Sequence, residues 1–411
     1  MYSAKGSRMT DPDFIRRTLE DLRERDLYRH LVAVGSGAGP RVQVGGRTVL
    51  AFASNNYLGL AGDPRVREAL CRAVERWGWG AGASPLLAGH TDAHAALEAD
   101  LATFKRTEAA VVFSTGYMTN LGVVSALVGR GDSVIMDREN HASLYDAVRL
   151  SGARLERYKH GDAGAAAHLL NPKSEIRNPK SRLLLATDTV FSMGGDLAPL
   201  AALAVACRRA GAMLLVDEAH ATGFLGPTGA GLAEALDVGE AIIASVGTLS
   251  KALGGIGGFV AASRGTCDLI VNRARPYIYS TALPAAACEA ARAALTIVRA
   301  EPERRRRVLA LADRLRAALR DKGFDTGATL RSSASLRSTS RSATPIIPII
   351  MGEPEAALAT AAALLERGIF CPAIRPPTVA PGTSRLRVSL TAEHTEEDVD
   401  RLVAELVAAR G

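Results

Sequence analysis

The 411 residues, 47% hydrophobic and 23% charged, can bury a large core and fill two or three domains at roughly 100 to 200 residues each. The 50 basic and 43 acidic residues leave a net charge of +7, but the densest basic run, Arg304 to Arg307, lacks interleaved aromatics, so a solvated helix face is expected there and no nucleic-acid partner. No apolar run approaches the roughly 18 residues of a membrane span, the polar start from Met1 to Asp13 is unlike a signal peptide, and the five cysteines are scattered, so a cytoplasmic chain without membrane contact, disulfide framework or metal is expected.

In chain order, a charged helical pattern from Asp11 to His30 leads through a glycine-rich turn to a short β-type run around Arg41 to Leu50. Residues 1–50 are read as an N-terminal arm. From 51 to 284, strand-like runs (Ala109 to Phe113, Ser133 to Met136, Leu183 to Thr187, Met213 to Val216, Ala241 to Val246) alternate with Ala-rich helical stretches. That alternation predicts an α/β fold with a mainly parallel central sheet covered on both faces. One intervening helix is marked by Leu97, Leu101 and Phe104 at i, i+4 and i+7.

Residues 285–411 read as a smaller C-terminal α/β domain: a long helical stretch, a strand from Ile346 to Met351, a helix near 356–367, and a strand near Leu386 to Leu390. Its last helix opens on a Thr395/Asp398 capping box, and Val399, Leu402, Val403, Leu406 and Val407 form one stripe expected to be core. Two polar segments, the repeated Asn-Pro-Lys-Ser around 171–181 and the Ser/Arg-rich 331–344, are expected to be surface loops without chemistry.

The chemistry rests on an acid and a lysine. Asp217 ends an apolar run and is expected at the carboxyl end of a parallel strand, where open α/β sheets bind ligands; taken singly, it is equally a helix N-cap. Lys251 follows a second such run and precedes Gly254-Gly255-Ile256-Gly257-Gly258, a flexible segment that lets backbone pass close to a bound group. Together they suit pyridoxal 5'-phosphate: the lysine forms the Schiff base, and the carboxylate keeps the pyridine nitrogen protonated.

His220 and Ser192 are within reach of the cofactor's phenolic oxygen, although a lone histidine is usually structural and the serine equally fits a turn. His141 lies just beyond a strand end, where an imidazole can stack on the ring. Ser114 to Asn120 offers backbone N–H groups and hydroxyls to a phosphate, with Thr248 and Ser250 as further donors. Arg375, Arg385 and Arg387 can grip a carboxylate, or decorate a surface.

Ser54 to Leu60, Gly82 to His94, Val190 to Asp196, Asp217 to Gly226, Thr248 to Gly258, Ile278 to Pro284 and Ala373 to Leu390 together resemble the α-oxoamine synthase family of fold-type I pyridoxal phosphate enzymes, over nearly the whole chain. The resemblance implies the aspartate aminotransferase-like fold, with Lys251 as Schiff-base lysine, Asp217 as pyridinium partner and His141 as stacking residue. It places Ser192 and His220 near the phenolic oxygen, has Gly116 and Tyr117 border the phosphate with Thr248 donating to it, and makes Arg387 the clamp on the amino-acid carboxylate. Ser280 and Thr281 would reach the phosphate from the neighbouring subunit of a homodimer, and Arg29 resembles an arginine that meets the acyl substrate.

The implied activity is decarboxylative condensation of an amino acid with an acyl thioester, here L-alanine with a pimeloyl group on CoA or on acyl carrier protein. Other condensations of this family with glycine or serine, an aminotransferase of the same fold, and a non-catalytic binding protein are the rivals. Pro85 stands where these synthases commonly carry arginine, which leaves specificity open at that position.

Overall fold

The computed structural model describes residues 12–171, 181–327 and 344–410. The repeat at 172–180 and the segment 331–343 lie outside the described residues. Near the N-terminus β1 (Arg41–Val44) and β2 (Arg47–Ala51) pair antiparallel, with Val44 opposite Arg47. Gly45 and Gly46 between them both take positive φ, the conformation a two-residue hairpin loop requires.

The central sheet has seven strands: β3 (Ala109–Phe113), β4 (Ser133–Asp137), β5 (Arg154–Tyr158), β6 (Leu183–Asp188), β7 (Met213–Asp217), β8 (Ala244–Thr248) and β9 (Gly258–Ala262), in the spatial order β3-β9-β8-β7-β6-β4-β5. β5, β4, β6, β7 and β8 run parallel, whereas β9 is antiparallel to both its neighbours. Apart from the edge strand β5, the strands are mainly apolar because both faces are covered. Ile135, Leu185, Leu214 and Val216 face one core, and Val134, Met136, Leu184, Ala186 and Leu215 face the other.

Two strands of this sheet escape the sequence reading. β5, Arg-Leu-Glu-Arg-Tyr, is a half-exposed edge strand with charges on it, so no apolar run announces it. β9 grows directly out of the segment read as flexible: Gly258 is its first residue, and a Cβ there would fall 2.6 Å from the Gly116 nitrogen. The run expected from Ala241 begins as a strand only at Ala244, and the expected helix 11–30 is observed as Pro12–Glu24.

The remaining strands are β10 (Ile346–Gly352), β11 (Ile369–Phe370), β12 (Ala373–Ile374) and β13 (Ser384–Ser389), behind the helices Ala285–Ala300 and Pro302–Asp321. β13 sits between β10 and β12, and β11 pairs in parallel with β2, which ties the N-terminal hairpin to the C-terminal part of the chain.

In the last helix (Glu396–Arg410) the capping box forms as expected, with Thr395 N–H donating to Asp398 Oδ2 at 3.0 Å and Asp398 N–H to Thr395 Oγ1 at 3.2 Å. Val407, however, is exposed and leaves the stripe. Of the run Arg304 to Arg307, Arg306 and Arg307 are exposed as a solvated face should be, but Arg304 and Arg305 are not. Arg304 bridges Asp63, Glu301 and the Leu58 carbonyl, and buried Arg305 donates to the carbonyls of Val298 and Pro227. Thr344 ends its polar segment fully buried, donating to the Gly195 carbonyl at 2.6 Å.

Candidate active site

Asp137, Asp188, Asp217 and Thr248 close β4, β6, β7 and β8 at one edge of the sheet. A cavity of about 250 Å³ opens at that edge, lined by Lys251, Asp217, Asp188, His141, His220, Thr248, Gly116 and Tyr117 among others. Asp217 is buried and held from two sides: Ala219 N–H donates to Oδ1 at 2.9 Å and Asn120 Nδ2 to Oδ2 at 2.7 Å. It therefore presents a fixed acceptor rather than a mobile charge.

Lys251 lies three residues past β8, in a turn closed by Gly254 N–H to its carbonyl at 2.9 Å. Gly254 has φ +67° and a Cβ there would fall 2.2 Å from the Ala61 nitrogen, so only glycine admits this path. Burial pushes the Lys251 ammonium down to about 8, against the attraction of Asp217 and Asp188. Asp188 pairs in register with Asp217; its Oδ2 accepts the His141 backbone N–H at 3.1 Å, and its Oδ1 is buried without a hydrogen-bond partner among the described residues. Burial, reinforced by Asp217, raises its carboxyl well above the usual range.

His141 caps the helix Ala142–Ser151, its Nδ1 accepting from the Ser143 backbone N–H. Burial lowers its imidazole, and burial together with Lys251 and Arg387 lowers His220 much further. His220 Nδ1 is 2.7 Å from the Tyr57 hydroxyl, which is 3.1 Å from Asn55 Oδ1. Arg387 reaches the same cluster, donating to Asn55 Oδ1 at 3.0 Å, to Ser389 Oγ at 2.8 Å and, through Nε, to the Ser192 carbonyl. Arg387 and Ser192 are thus buried and joined through Asn55 and Tyr57 to His220, which lines the cavity.

The loop after β3 supplies a helix start. Thr115 Oγ1 caps Gly116–Leu127 by accepting Met118 N–H at 3.1 Å, and Thr248 Oγ1, 2.8 Å from Ser250 Oγ, packs against Gly116. The first-turn N–H groups of such a helix have no intrahelical acceptor and favour an anion.

Four other predicted residues lie elsewhere. Ser280 and Thr281 line a separate recess, where Ser114 Oγ donates to the Thr281 carbonyl at 2.6 Å. Arg29 and Arg375 border a second, more apolar cavity of about 660 Å³ beneath the arm, Arg29 donating to the Pro376 carbonyl and Arg375 to the carbonyls of Asp26 and Tyr28.

The sequence reading assigned no role to Asn120, Ser143, Asp188, Tyr57 or Asn55. For Asp188 the signal was present, since it ends an apolar strand as Asp217 does. Asn120 lies one turn inside its helix and Ser143 in the first turn of another, and only the packing of the two helix starts links them to Asp217.

The profile of the family described as aminotransferase class I and II matches residues 47–406. The 8-amino-7-oxononanoate synthase of Anaeromyxobacter dehalogenans is 51% identical over 396 residues, 96% of this chain and 95% of that one. Among solved structures, a serine palmitoyltransferase from S. paucimobilis superposes with a TM-score of 0.88 at 31% identity, covering 97% of this chain and 96% of that one. An 8-amino-7-oxononanoate synthase from Francisella tularensis superposes at 0.72 and 27%, covering 88% and 97%. The chain belongs to the aminotransferase class I and II family and, within it, to the α-oxoamine synthases, alongside the 8-amino-7-oxononanoate synthases that it matches nearly end to end.

Proposed function

We propose that this chain binds pyridoxal 5'-phosphate at Lys251 and joins L-alanine to a pimeloyl thioester, with loss of CO2 and the thiol, to give 8-amino-7-oxononanoate for biotin synthesis in the cytoplasm. The observation that carries the reading is full-length identity of about half to synthases of that name, joined to a cavity in which a buried lysine and a fixed carboxylate face each other's charge. The cofactor fits this donor set: one amine of lowered basicity, one acid held by two N–H donors, and a helix start with a hydroxyl beside it for a phosphate.

When bound, pyridoxal phosphate supplies an electron sink conjugated to the amino-acid Cα. Lys251, brought down to about 8, exists partly as free amine near neutral pH and so can accept and return the alanine Cα proton. Asp217 holds the proton at the ring nitrogen. Gly116, Tyr117 and Thr248 receive the phosphate, His141 covers one face of the ring, and His220 and Ser192 serve its phenolic oxygen. Arg387 meets the amino-acid carboxylate, while Arg29 and Arg375 border the acyl entrance. Ser280 and Thr281, which line a separate recess of this chain, act on the partner's phosphate in a homodimer. We take 51–284 as the cofactor-binding domain and 285–411 as the smaller one.

The test is thiol and CO2 release by the purified holoenzyme across alanine, glycine and serine with several acyl-CoA chains. Turnover confined to alanine and pimeloyl thioester is expected. Preference for glycine or serine would move the chain to another α-oxoamine synthase, and pyridoxamine phosphate formation without thiol release would make it an aminotransferase.

A further inference from the structure

A continuous hydrogen-bonded chain connects the two cavity residues that stand on different strands' ends. From Asp217 Oδ2 it passes to Asn120 Nδ2 (2.7 Å), from the same Nδ2 to Ser143 Oγ (2.9 Å), and from Ser143 Oγ to His141 Nδ1 (2.7 Å). Asn120 is 2% exposed, Ser143 1% and Asp217 7%, so no bulk water competes for these groups. We propose that Asn120 and Ser143 are positioning residues that hold His141 in its neutral Nε2–H tautomer and tie its orientation to the Asp217 carboxylate; this rests on the cofactor reading above.

The hydrogen count dictates the direction of the chain. An ionised carboxylate only accepts, so the Asn120 amide must turn its NH2 toward Asp217, and its second hydrogen goes to Ser143 Oγ. The Ser143 hydroxyl then has one hydrogen left for His141 Nδ1. That same nitrogen also faces the Ser143 backbone N–H at 3.3 Å, because His141 is the N-cap of its helix. A hydrogen on Nδ1 would confront that N–H and uncap the helix, so the ring hydrogen resides on Nε2.

The charged groups facing the imidazole divide: Asp217 favours a second proton on the ring, Lys251 opposes it, and burial, the largest influence, opposes it too. Asp188 holds the same residue by its main chain, accepting the His141 N–H. His141 therefore meets a bound ring as an uncharged group with one donor, its tilt fixed from the carboxylate side.

The test uses the full-length protein without cofactor, containing ring-15N histidine, with the His141 signal assigned by its loss in His141→Asn. The wild type is expected to show the Nε2–H tautomer. Ser143→Ala, which removes the hydroxyl donor, should convert a measurable fraction to Nδ1–H, and Ser143→Thr, which keeps it, should not. Asn120→Asp, of equal size, should raise the pH at which His141 titrates and weaken pyridoxal phosphate binding by about tenfold, the effect of losing one hydrogen bond to a charged group.

Nδ1–H in the wild type, or a Ser143→Ala spectrum identical to wild type, overturns the proposal. Should Ser143→Ala fail to fold, the wild-type tautomer and Asn120→Asp decide. These measurements need no substrate, so they fail or succeed independently of which amino acid and thioester the enzyme joins.

Discussion

Gly258→Ala tests whether the phosphate cradle is set by backbone contact. The first residue of β9 lies against the first residue of the helix Gly116–Leu127, and a methyl group on it would sit 2.4 Å from Thr119 Oγ1, 2.5 Å from Gly116 Cα and 2.6 Å from Gly116 N. Two of those atoms are main chain, so no side-chain rotation relieves the contact. The helix start must retreat by several tenths of an ångström, carrying the Gly116 and Tyr117 N–H groups away from Thr248. Overpacking of this kind costs about 1 to 3 kcal/mol, and if the strain is released by displacing the cradle, pyridoxal phosphate binding weakens by roughly 5- to 150-fold. Titration of the cofactor-free protein with pyridoxal phosphate, followed by absorbance, reads the effect. Gly265→Ala is the control: it lies in the helix Arg264–Arg273 with nothing within 4 Å of its Cβ, so it should bind as wild type and melt no lower. Equal affinity and equal melting temperature for Gly258→Ala and wild type would refute the argument.

Other side chains make separable predictions. Asp188 has a raised carboxyl pKa, so it binds more protons folded than unfolded, and its contribution is present below the ordinary aspartate pKa near 4 and lost as pH rises through the folded value; Asp188→Asn should therefore gain on wild type as pH rises from 4 in urea unfolding of the cofactor-free protein, and a constant difference would count against a neutral Asp188. For His160, burial opposes protonation, but hydrogen bonds to Asp137 (2.9 Å) and Asp196 (2.8 Å) outweigh it and hold the imidazolium up to about 10. Its contribution is full below pH 6.5 and disappears as pH rises through 10, so His160→Gln should destabilise at pH 6 and converge with wild type above pH 10. Lys105 Nζ is buried 2.8 Å from Glu218 Oε2, beside Asp217 in sequence. Lys105→Met strands that carboxylate and should cost about 3 to 5 kcal/mol in denaturant unfolding, part of which Glu218→Gln in the same chain restores; a Lys105→Met midpoint equal to wild type would show that the pair contributes nothing.

The central sheet was legible because its strands are covered on both faces and therefore read as short apolar runs, and its ligand edge was legible because Asp217 stops such a run. The same rule applied to Asp188, which ends β6 as Asp217 ends β7, places a second acid in the cavity. What the sequence withholds is contact between elements. Arg304 and Arg305 look like a solvated run until the loops at Leu58 and Pro227 and the last turn of the helix Ala285–Ala300 offer them carbonyls. β5 carries its charges on an edge where one side meets water, and β9 follows glycines that serve close approach more than flexibility.

The same distinction explains why the reactive side chains are easier to find than the groups that orient them. Asp217 and Lys251 are set by strand ends, a one-dimensional signal. Asn120 and Ser143 matter only because two helices, Gly116–Leu127 and Ala142–Ser151, begin side by side over the end of β7, each after a loop that caps it, Thr115 for one and His141 for the other. A polar residue near the start of a helix is ordinarily unremarkable. Here the two first turns face each other with water excluded, and each donor must find an acceptor. The resulting network has a single consistent arrangement of hydrogens, and it is that constraint, more than the identity of either residue, that makes the tautomer of His141 a property of the fold.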